Sequence, residues 1–164
     1  MGVFWITGLS SSGKTTISNL LYEKLSINKN LIQIDGDIIR EVFGSDLGYS
    51  YEERLISAYR NARLCKFLNE KGLLVICSTI SMYDEVREWN RSNIKNYFEV
   101  YLKVSKNELK SRDSKGIYKG SQSNVVNFEN GWEEPKNPHL VIKNEKIEDL
   151  NKNIEKIISN CFFL

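Results

Sequence analysis

Short apolar runs along the chain alternate with stretches in which apolar residues recur every three or four positions. Each run has the length of a strand that is buried on both faces of a parallel sheet. The stretches between the runs have the spacing of amphipathic helices. This alternation predicts an α/β fold, with a parallel sheet covered by helices on both faces. The predicted strands are residues 3–7, 31–35, 73–78, 97–104 and 140–143.

Two long helices are predicted from the positions of their apolar residues. The first begins at the turn formed by Gly13 and Lys14, and the second extends from about Tyr51 to Asn69. The residues expected to face inward are Ile17, Leu20, Leu21 and Leu25 in the first helix, and Leu55, Ala58, Ala62, Cys65 and Leu68 in the second. Shorter helices are predicted near residues 84–95, 106–112 and 147–158.

The segment 113–138 interrupts this alternation. It is rich in Gly, Ser, Asn and Lys, and a loop of this length in a compact domain is usually functional or disordered. We predict that it forms a lid loop over bound phosphates. The alternative is a surface excursion without a function. The whole chain, residues 1–164, has the length of a single domain.

Composition and charge argue against several classes of protein. The 164 residues are 41% hydrophobic and 27% charged, and the formal net charge is +2. That excess is too small to favour nucleic acid or an anionic membrane as a partner. The three cysteines lack the spacing of a zinc or redox motif, and one histidine cannot build a histidine metal site. No apolar run is long enough to span a bilayer and no signal peptide is evident, so we expect a cytoplasmic protein.

The first predicted strand leads directly into a phosphate-binding sequence. Residues 8–15 read Gly-Leu-Ser-Ser-Ser-Gly-Lys-Thr and match the P-loop pattern at every fixed position. In a P-loop, backbone N–H groups and a helix N-terminus face the phosphates, while the lysine reaches the β and γ groups. We therefore predict ATP as a substrate and Mg²⁺ bound by Thr15 and, through water, by Asp35 or Asp37. The predicted ATP contacts in this region are Gly8, Ser10, Ser11, Ser12, Gly13, Lys14, Thr15 and Thr16.

Acidic residues after the second predicted strand indicate the class of P-loop protein. The third strand ends without a carboxylate at residues 77–79, and residues 28–31 lack the aspartate of a guanine-recognition motif. Asp35 and Asp37 follow the second strand, which we expect beside the P-loop strand. This arrangement favours a small-molecule kinase in which Asp37, Asp35 and Lys14 are catalytic. The alternative is an ordinary Asp-Gly turn in which Asp37 caps the next helix.

Basic and aromatic residues outside the P-loop are candidates for binding the acceptor. Arg40 lies one helical turn after the second aspartate, where a guanidinium can clamp an acceptor phosphate. Lys115 and Lys119 in the predicted lid are placed to neutralise phosphate, and Phe128 and Trp132 are placed to stack on a base. The alternative for each is a solvated charge or a side chain that folds the lid onto the core.

Together these motifs resemble the adenylylsulfate (APS) kinase family. The resemblance extends over most of the chain, from about residue 4 to residue 142. The segments that carry it are Trp5 to Ser10 at the P-loop, Asp35-Gly36-Asp37 with Arg40, Asp46-Leu47-Gly48-Tyr49-Ser50, Ile80-Ser81-Met82-Tyr83, and residues 112–119, which read RDSKGIYK where the family has RDPKGLYK. It implies transfer of the γ-phosphate of ATP to the ribose 3′-hydroxyl of a small nucleotide acceptor. It also implies a homodimer.

The resemblance further implies roles for individual residues. Asp37 matches the family's catalytic carboxylate, Asp35 a residue near the metal, and Arg112 a residue near the ATP base. Ser81 matches a serine proposed as a phosphoserine intermediate, although direct in-line transfer is the simpler chemistry. The residues implied to bind the acceptor are Arg40, Phe43, Tyr49, Arg54, Ser57, Ile80, Lys115 and Phe128.

Residues on the acceptor side depart from the family pattern. The family's Glu-Asn-Ile-Arg-Arg stretch reads Ile-Ser-Ala-Tyr-Arg at residues 56–60, so an asparagine and an arginine that help to hold APS are replaced. The family's Ser-Pro-Tyr-Arg ends in Asp84. We therefore favour a related kinase that phosphorylates cytidine diphosphoramidate in capsular polysaccharide biosynthesis. The alternatives are a true APS kinase of sulfate assimilation, a kinase for another acceptor such as a sugar or nucleoside, and a nucleotide-binding module without catalysis.

Overall fold

The computed structural model describes residues 1–28, 30–113, 116, 118 and 132–164. Within them lie five strands and six α-helices. Strands and helices alternate as the apolar pattern predicts, except that two helices follow the second strand, and the first of these is not among the predicted helices. The strands are β1 (Val3–Thr7), β2 (Leu31–Asp35), β3 (Leu74–Thr79), β4 (Tyr97–Lys103) and β5 (Leu140–Lys143). The helices are α1 (Lys14–Leu25), α2 (Gly36–Val42), α3 (Tyr51–Glu70), α4 (Asp84–Asn93), α5 (Lys106–Ser111) and α6 (Leu150–Asn160). Short 3₁₀ turns at Ser26–Asn28 and Ile147–Asp149 follow α1 and precede α6.

All strand pairs are parallel, and the strand order is β2-β3-β1-β4-β5. The prediction that β2 lies beside the P-loop strand is therefore wrong, because β3 lies between β2 and β1. A hydrophobic pattern indicates that a strand is buried, but it does not indicate which other strand lies beside that strand. The register nevertheless aligns Thr7 with Thr79 and Asp35 with Ser78. The carboxyl ends of three neighbouring strands thus meet at one edge of the sheet, where open α/β sheets bind ligands.

Strand β1 is buried along its whole length because helices cover both faces of the sheet. Phe4 and Ile6 pack on one face with apolar residues of α1 and α6. Val3 and Trp5 pack on the other face with apolar residues of α3 and α4. This two-sided burial explains why the strand reads as a continuous apolar run and not as an alternating pattern.

A capping box fixes the start of α3 and the loop before it. The Ser50 hydroxyl accepts a hydrogen bond from the Glu53 N–H, and the Glu53 carboxylate accepts one from the Ser50 N–H. The same carboxylate accepts a hydrogen bond from the Gly48 N–H. Backbone donors at Gly48 and Ser50 lower the pKa of Glu53, which keeps it ionised and able to accept these bonds. The loop over residues 46–50 is thereby held against the N-terminus of α3.

The predicted lid falls largely on residues that the structure leaves undescribed. Lys115, Lys119 and Phe128 lie outside the described residues, so the predictions for them remain untested. At the far end of this segment, Trp132 packs with Leu9, Leu109 and their neighbours. Among the helices that the structure describes, none is long and apolar enough to cross a membrane.

Candidate active site

A cleft of about 580 Å³ opens at the carboxyl ends of β1, β2 and β3. It brings together most of the residues that the sequence singled out. Those that line it are Ser10, Ser11, Gly13, Lys14, Thr15, Thr16, Asp35, Asp37, Arg40, Tyr49, Arg54, Ser57, Ile80 and Arg112. Gly8 and Ser12 belong to the same loop but do not line the cleft.

Phe43 is the described acceptor-site candidate that the structure does not bring to the cleft. Its ring is about half exposed and lies under the guanidinium of Arg60, 5.2 Å from the ring centroid. Arg60 is held in turn by an ion pair with Asp46 at 2.7 Å. The role predicted for Phe43 has no support from this geometry.

Two glycines allow the P-loop to pass close to its neighbours. A Cβ atom at Gly8 would lie 2.8 Å from the carbonyl oxygen of Leu102, and one at Gly13 would lie 2.5 Å from Nδ2 of Asn144. Gly13 also has a φ of 89°, in the left-handed region that favours glycine. Helix α1 begins at the next residue, Lys14, so its N-terminus faces the cleft. The ammonium of Lys14 donates a hydrogen bond to the Leu9 carbonyl at 2.8 Å.

The loop between β5 and α6 contacts the P-loop and holds it in place. The sequence analysis did not predict this contact. Asn144 donates a hydrogen bond to the Ser12 carbonyl at 2.9 Å and accepts one from Asn153 at 3.1 Å. Both asparagines are buried. Arg112 donates to the Asn144 and Glu145 carbonyls at 2.9 and 2.6 Å, which fixes its guanidinium at the rim of the cleft. Asparagines at this spacing match no motif, so only the fold reveals them.

Tyr118 links the beginning of the predicted lid to the P-loop. Its hydroxyl donates a hydrogen bond to the Ser10 carbonyl at 2.9 Å. Burial, with a smaller contribution from the charge of Asp113, raises the pKa of Tyr118 to about 12. The hydroxyl therefore keeps its proton, and hence this contact, across the physiological pH range.

Asp35 connects the P-loop to the end of the sheet. Its Oδ2 accepts hydrogen bonds from the hydroxyls of Thr15 and Ser78, both at 3.1 Å. Hydroxyl and carboxylate oxygens are the donors that Mg²⁺ prefers, and they adjoin one another here. Among the described residues there is no group of three or more His, Cys, Asp or Glu that could form a metal cage. The oxygen set therefore suits a Mg²⁺ ion that takes its remaining ligands from phosphates and water.

Helix α2 begins at Gly36, immediately after β2, and Asp35 is its N-cap. Oδ1 of Asp35 accepts a hydrogen bond from the Asp37 N–H at 3.0 Å. The capping role that the sequence offered as an alternative for Asp37 thus belongs to Asp35. Asp37 lies in the first turn of α2 and lines the same cleft as the P-loop and the two arginines Arg40 and Arg54.

Two arginines converge on one tyrosine on the other side of the cleft. The guanidinium carbons of Arg40 and Arg54 lie 4.7 and 5.6 Å from the ring centroid of Tyr49. Arg40 donates to the carbonyls of Leu47 and Gly48, and Arg54 donates to the carbonyl of Tyr49. Removal from water, together with the positive charge of Arg40, lowers the pKa of Arg54. Two guanidiniums held this close create a site that favours an anion.

Three comparisons with known proteins agree with this geometry. Residues 1–143 match the family model for adenylylsulphate kinase. The chain is 42% identical over 161 residues to the cytidine diphosphoramidate kinase of Campylobacter jejuni, covering 95% of this chain and 94% of that protein. It is 35% identical over 149 residues to the probable adenylyl-sulfate kinase of Archaeoglobus fulgidus, covering 88% of this chain and 96% of that protein. The solved structure of the Mycobacterium tuberculosis APS kinase in complex with AMPPNP and APS superimposes with a TM-score of 0.84 at 27% identity, covering 97% of this chain and 96% of that chain.

Proposed function

Since this chain belongs to the adenylylsulfate kinase family, we propose that it transfers the γ-phosphate of ATP to the ribose 3′-hydroxyl of cytidine diphosphoramidate. At the coarser level the chain is a kinase, a phosphotransferase with a hydroxyl group as acceptor. The observation that carries the proposal is the cleft itself. It places the P-loop, Asp37 and the Arg40–Arg54 pair around one space, and in-line transfer requires that donor, reacting group and acceptor share one cleft.

The nucleotide side of the cleft binds ATP in this proposal. The P-loop N–H groups and the N-terminus of α1 hold the phosphates, and Lys14 stabilises the charge on the γ-phosphate during transfer. Arg112 lies at the position proposed for the ATP base. Thr15 and Asp35 are the residues proposed to hold Mg²⁺, which would offset the negative charge of the phosphates.

Asp37 is proposed to accept the proton of the acceptor hydroxyl as the new P–O bond forms. The carboxylate lies in the first turn of α2, so the hydrogen bond from its own N–H to Asp35 fixes the backbone that carries it. General-base catalysis requires that the hydroxyl come within hydrogen-bonding distance of this carboxylate. Direct transfer makes a phosphoserine intermediate at Ser81 unnecessary.

Arg40 and Arg54 are proposed to bind the diphosphate-type group of the acceptor. Arg40 lies one helical turn after Asp37 on α2, and Arg54 lies on α3. Both already donate to backbone carbonyls. Guanidiniums fixed in this manner bind phosphate oxygens with little loss of side-chain entropy. A plain nucleoside or sugar has no group to occupy this pair.

The cytidine acceptor is favoured over APS by the residues that surround this pair. Ser57 lines the cleft where the family has an asparagine. Asp84, where the family has an arginine, is paired with Arg87 and Lys136 and offers no cation to a sulfate group. The relative with 42% identity is a cytidine diphosphoramidate kinase. APS is the second candidate, because the family model and the Archaeoglobus fulgidus relative are those of adenylylsulfate kinases.

The decisive experiment measures ATP turnover with Mg²⁺ against cytidine diphosphoramidate, APS, cytidine and a simple sugar, with the site of phosphorylation assigned by phosphorus NMR. We expect kcat/KM to be highest for cytidine diphosphoramidate, with phosphate at the 3′ position. A preference for APS would select the second candidate. Absence of turnover with every acceptor, while ATP still binds, would leave only the nucleotide-binding module. A homodimer, a single domain over 1–164 and a cytoplasmic location stay predictions.

A further inference from the structure

A pair of polar side chains, Asn61 and Thr79, forms part of the floor of the cleft. Thr79 is the last residue of β3, and Asn61 lies on α3. Nδ2 of Asn61 donates a hydrogen bond to the Thr79 hydroxyl at 3.4 Å. The exposed fractions are 8% for Thr79 and 1% for Asn61, so Thr79 is the member that a bound molecule can touch. Neither residue belongs to the P-loop or to the segments that carry the family resemblance.

The hydrogen bonds of this pair are incomplete. Because the Thr79 oxygen accepts the Asn61 N–H, its own proton must point elsewhere, and no described residue accepts it. The amide oxygen of Asn61 is buried and also lacks a partner within the described part of the chain. Buried polar groups without partners are costly, so their presence in a fold calls for a reason. A hydroxyl proton beside a cleft, with no acceptor among the described residues, is suited to a ligand oxygen.

The position of the pair identifies which part of a ligand it meets. A Cβ atom added to Gly36 would lie 3.0 Å from the Thr79 hydroxyl oxygen and 3.4 Å from the Asn61 amide nitrogen. Gly36 separates Asp35 from Asp37, so the pair lies directly against the turn that carries the proposed base. When the reacting hydroxyl is at Asp37, the atoms next to it on the acceptor therefore lie over Thr79. On a ribose that reacts at its 3′ oxygen, the adjacent polar atom is the 2′ oxygen.

We propose that Thr79 is a specificity-determining residue that donates a hydrogen bond to the 2′-hydroxyl of the acceptor ribose. Asn61 is a positioning residue, because its N–H occupies one lone pair of the Thr79 oxygen and so leaves the Thr79 proton available to the ligand. The proposal rests on the proposed function and extends it, since it makes the enzyme selective for ribonucleotide acceptors over 2′-deoxyribonucleotide acceptors.

The first test replaces the hydroxyl of Thr79 while keeping the shape of the side chain. Thr79→Val and the control Thr79→Ser are compared with the native chain on cytidine diphosphoramidate and on its 2′-deoxy analogue. We expect Thr79→Val to lower kcat/KM for the ribonucleotide roughly 5- to 20-fold, in line with the loss of one hydrogen bond in the transition state. With the 2′-deoxy acceptor, Thr79→Val and the native chain should agree within about twofold, and Thr79→Ser should resemble the native chain with both. The KM for ATP should not change.

Two results would overturn the proposal. If Thr79→Val has no effect on the ribonucleotide, Thr79 does not bind it. If the loss is the same with both acceptors, Thr79 binds another group or supports the site only indirectly. Neither result would affect the proposed function as long as the native chain phosphorylates cytidine diphosphoramidate. Calorimetry can also measure the dissociation constants of CDP and 2′-deoxy-CDP for the native and Thr79→Val chains. This comparison does not depend on turnover, so it tests the proposal even if the native chain is inactive with cytidine diphosphoramidate.

The second test concerns Asn61. Asn61→Leu removes a buried oxygen that has no partner, and we expect the melting temperature to stay the same or rise. We also expect kcat/KM for the ribonucleotide to fall several-fold, and the double variant with Thr79→Val to be no worse than Thr79→Val alone, because both changes act through one hydroxyl. Additive losses, or a lower melting temperature with a proportional loss of activity, would show that Asn61 is merely structural.

Discussion

The two sides of the cleft are built in different ways. On the nucleotide side, buried asparagines and main-chain carbonyls fix the P-loop, as in the contact of Asn144 with Ser12. On the acceptor side, the aromatic and basic residues project from α2, α3 and the loop between them, and Tyr49 is 57% exposed. The nucleotide side therefore consists mainly of backbone groups, and few amino-acid substitutions preserve its geometry. The acceptor side consists of side chains that can be substituted without disturbing the fold. Proteins that share a fold commonly acquire different substrates through changes on such surfaces.

This difference also explains how much the sequence could predict. The bounds of β1, β2 and β5 were predicted to the residue, and both long helices begin where expected, because buried parallel strands and amphipathic helices have distinct periodicities. The P-loop could be recognised in the sequence because its backbone geometry demands glycine, lysine and threonine at fixed spacing. Six of the eight predicted ATP contacts in this region line the cleft, and their binding of ATP stays a prediction. The family model and the relatives confirm the kinase class.

What the sequence could not predict depends on contacts between distant segments. The position of β3 between β2 and β1 in the sheet is not encoded by any short sequence pattern. Asn61 and Thr79 are 18 positions apart and meet only because α3 packs over the end of β3. Phe43 was proposed from the family resemblance, but it follows α2, packs against Arg60 and does not line the cleft. Pairwise contacts of this type follow from tertiary packing, which no motif records.

The largest expected effect lies on the nucleotide side. Lys14→Ala removes the cation that stabilises the γ-phosphate during transfer, so kcat should fall by more than about a thousandfold. Lys14→Arg is the matched control for charge, and we expect it to remain strongly impaired because the loop is shaped for an ammonium. Single-turnover assays with saturating ATP give the measurement. A near-normal kcat in Lys14→Ala would contradict the P-loop mechanism.

The second prediction tests the boundary between the two sides. Asp37→Asn preserves the shape of the side chain but removes the proposed base, so kcat should fall by more than about a hundredfold. The KM for ATP should change little, because the residue lies beyond the P-loop. Asp35→Asn is the informative comparison, since Asp35 contacts Thr15 and Ser78 and its loss should also weaken the response to Mg²⁺. A change of only a few-fold in Asp37→Asn would assign it a structural role.

The third prediction separates the two sides by their Michaelis constants. Arg54→Gln removes one of two guanidiniums proposed to bind the acceptor diphosphate, so the KM for the acceptor should rise roughly 10- to 100-fold, the range for a charge-assisted hydrogen bond. The matched variant Asn144→Ala removes the support below the P-loop and should raise the KM for ATP instead. Steady-state titration of each substrate distinguishes them. If both variants altered the same constant, the cleft would not divide as proposed.

The smallest expected effect concerns selectivity on the acceptor side. Ser57→Asn restores the residue that the family has at this position, one turn from Arg54 and facing the cleft. We expect the ratio of kcat/KM for APS to that for cytidine diphosphoramidate to rise about two- to fivefold, because one additional neutral hydrogen bond contributes about 0.5–1 kcal/mol. Ser57→Ala is the control, and it should lower both values without changing the ratio. A ratio that stays constant in Ser57→Asn would mean that Ser57 does not distinguish the two acceptors, and that their selectivity depends on other residues, such as those of the predicted lid.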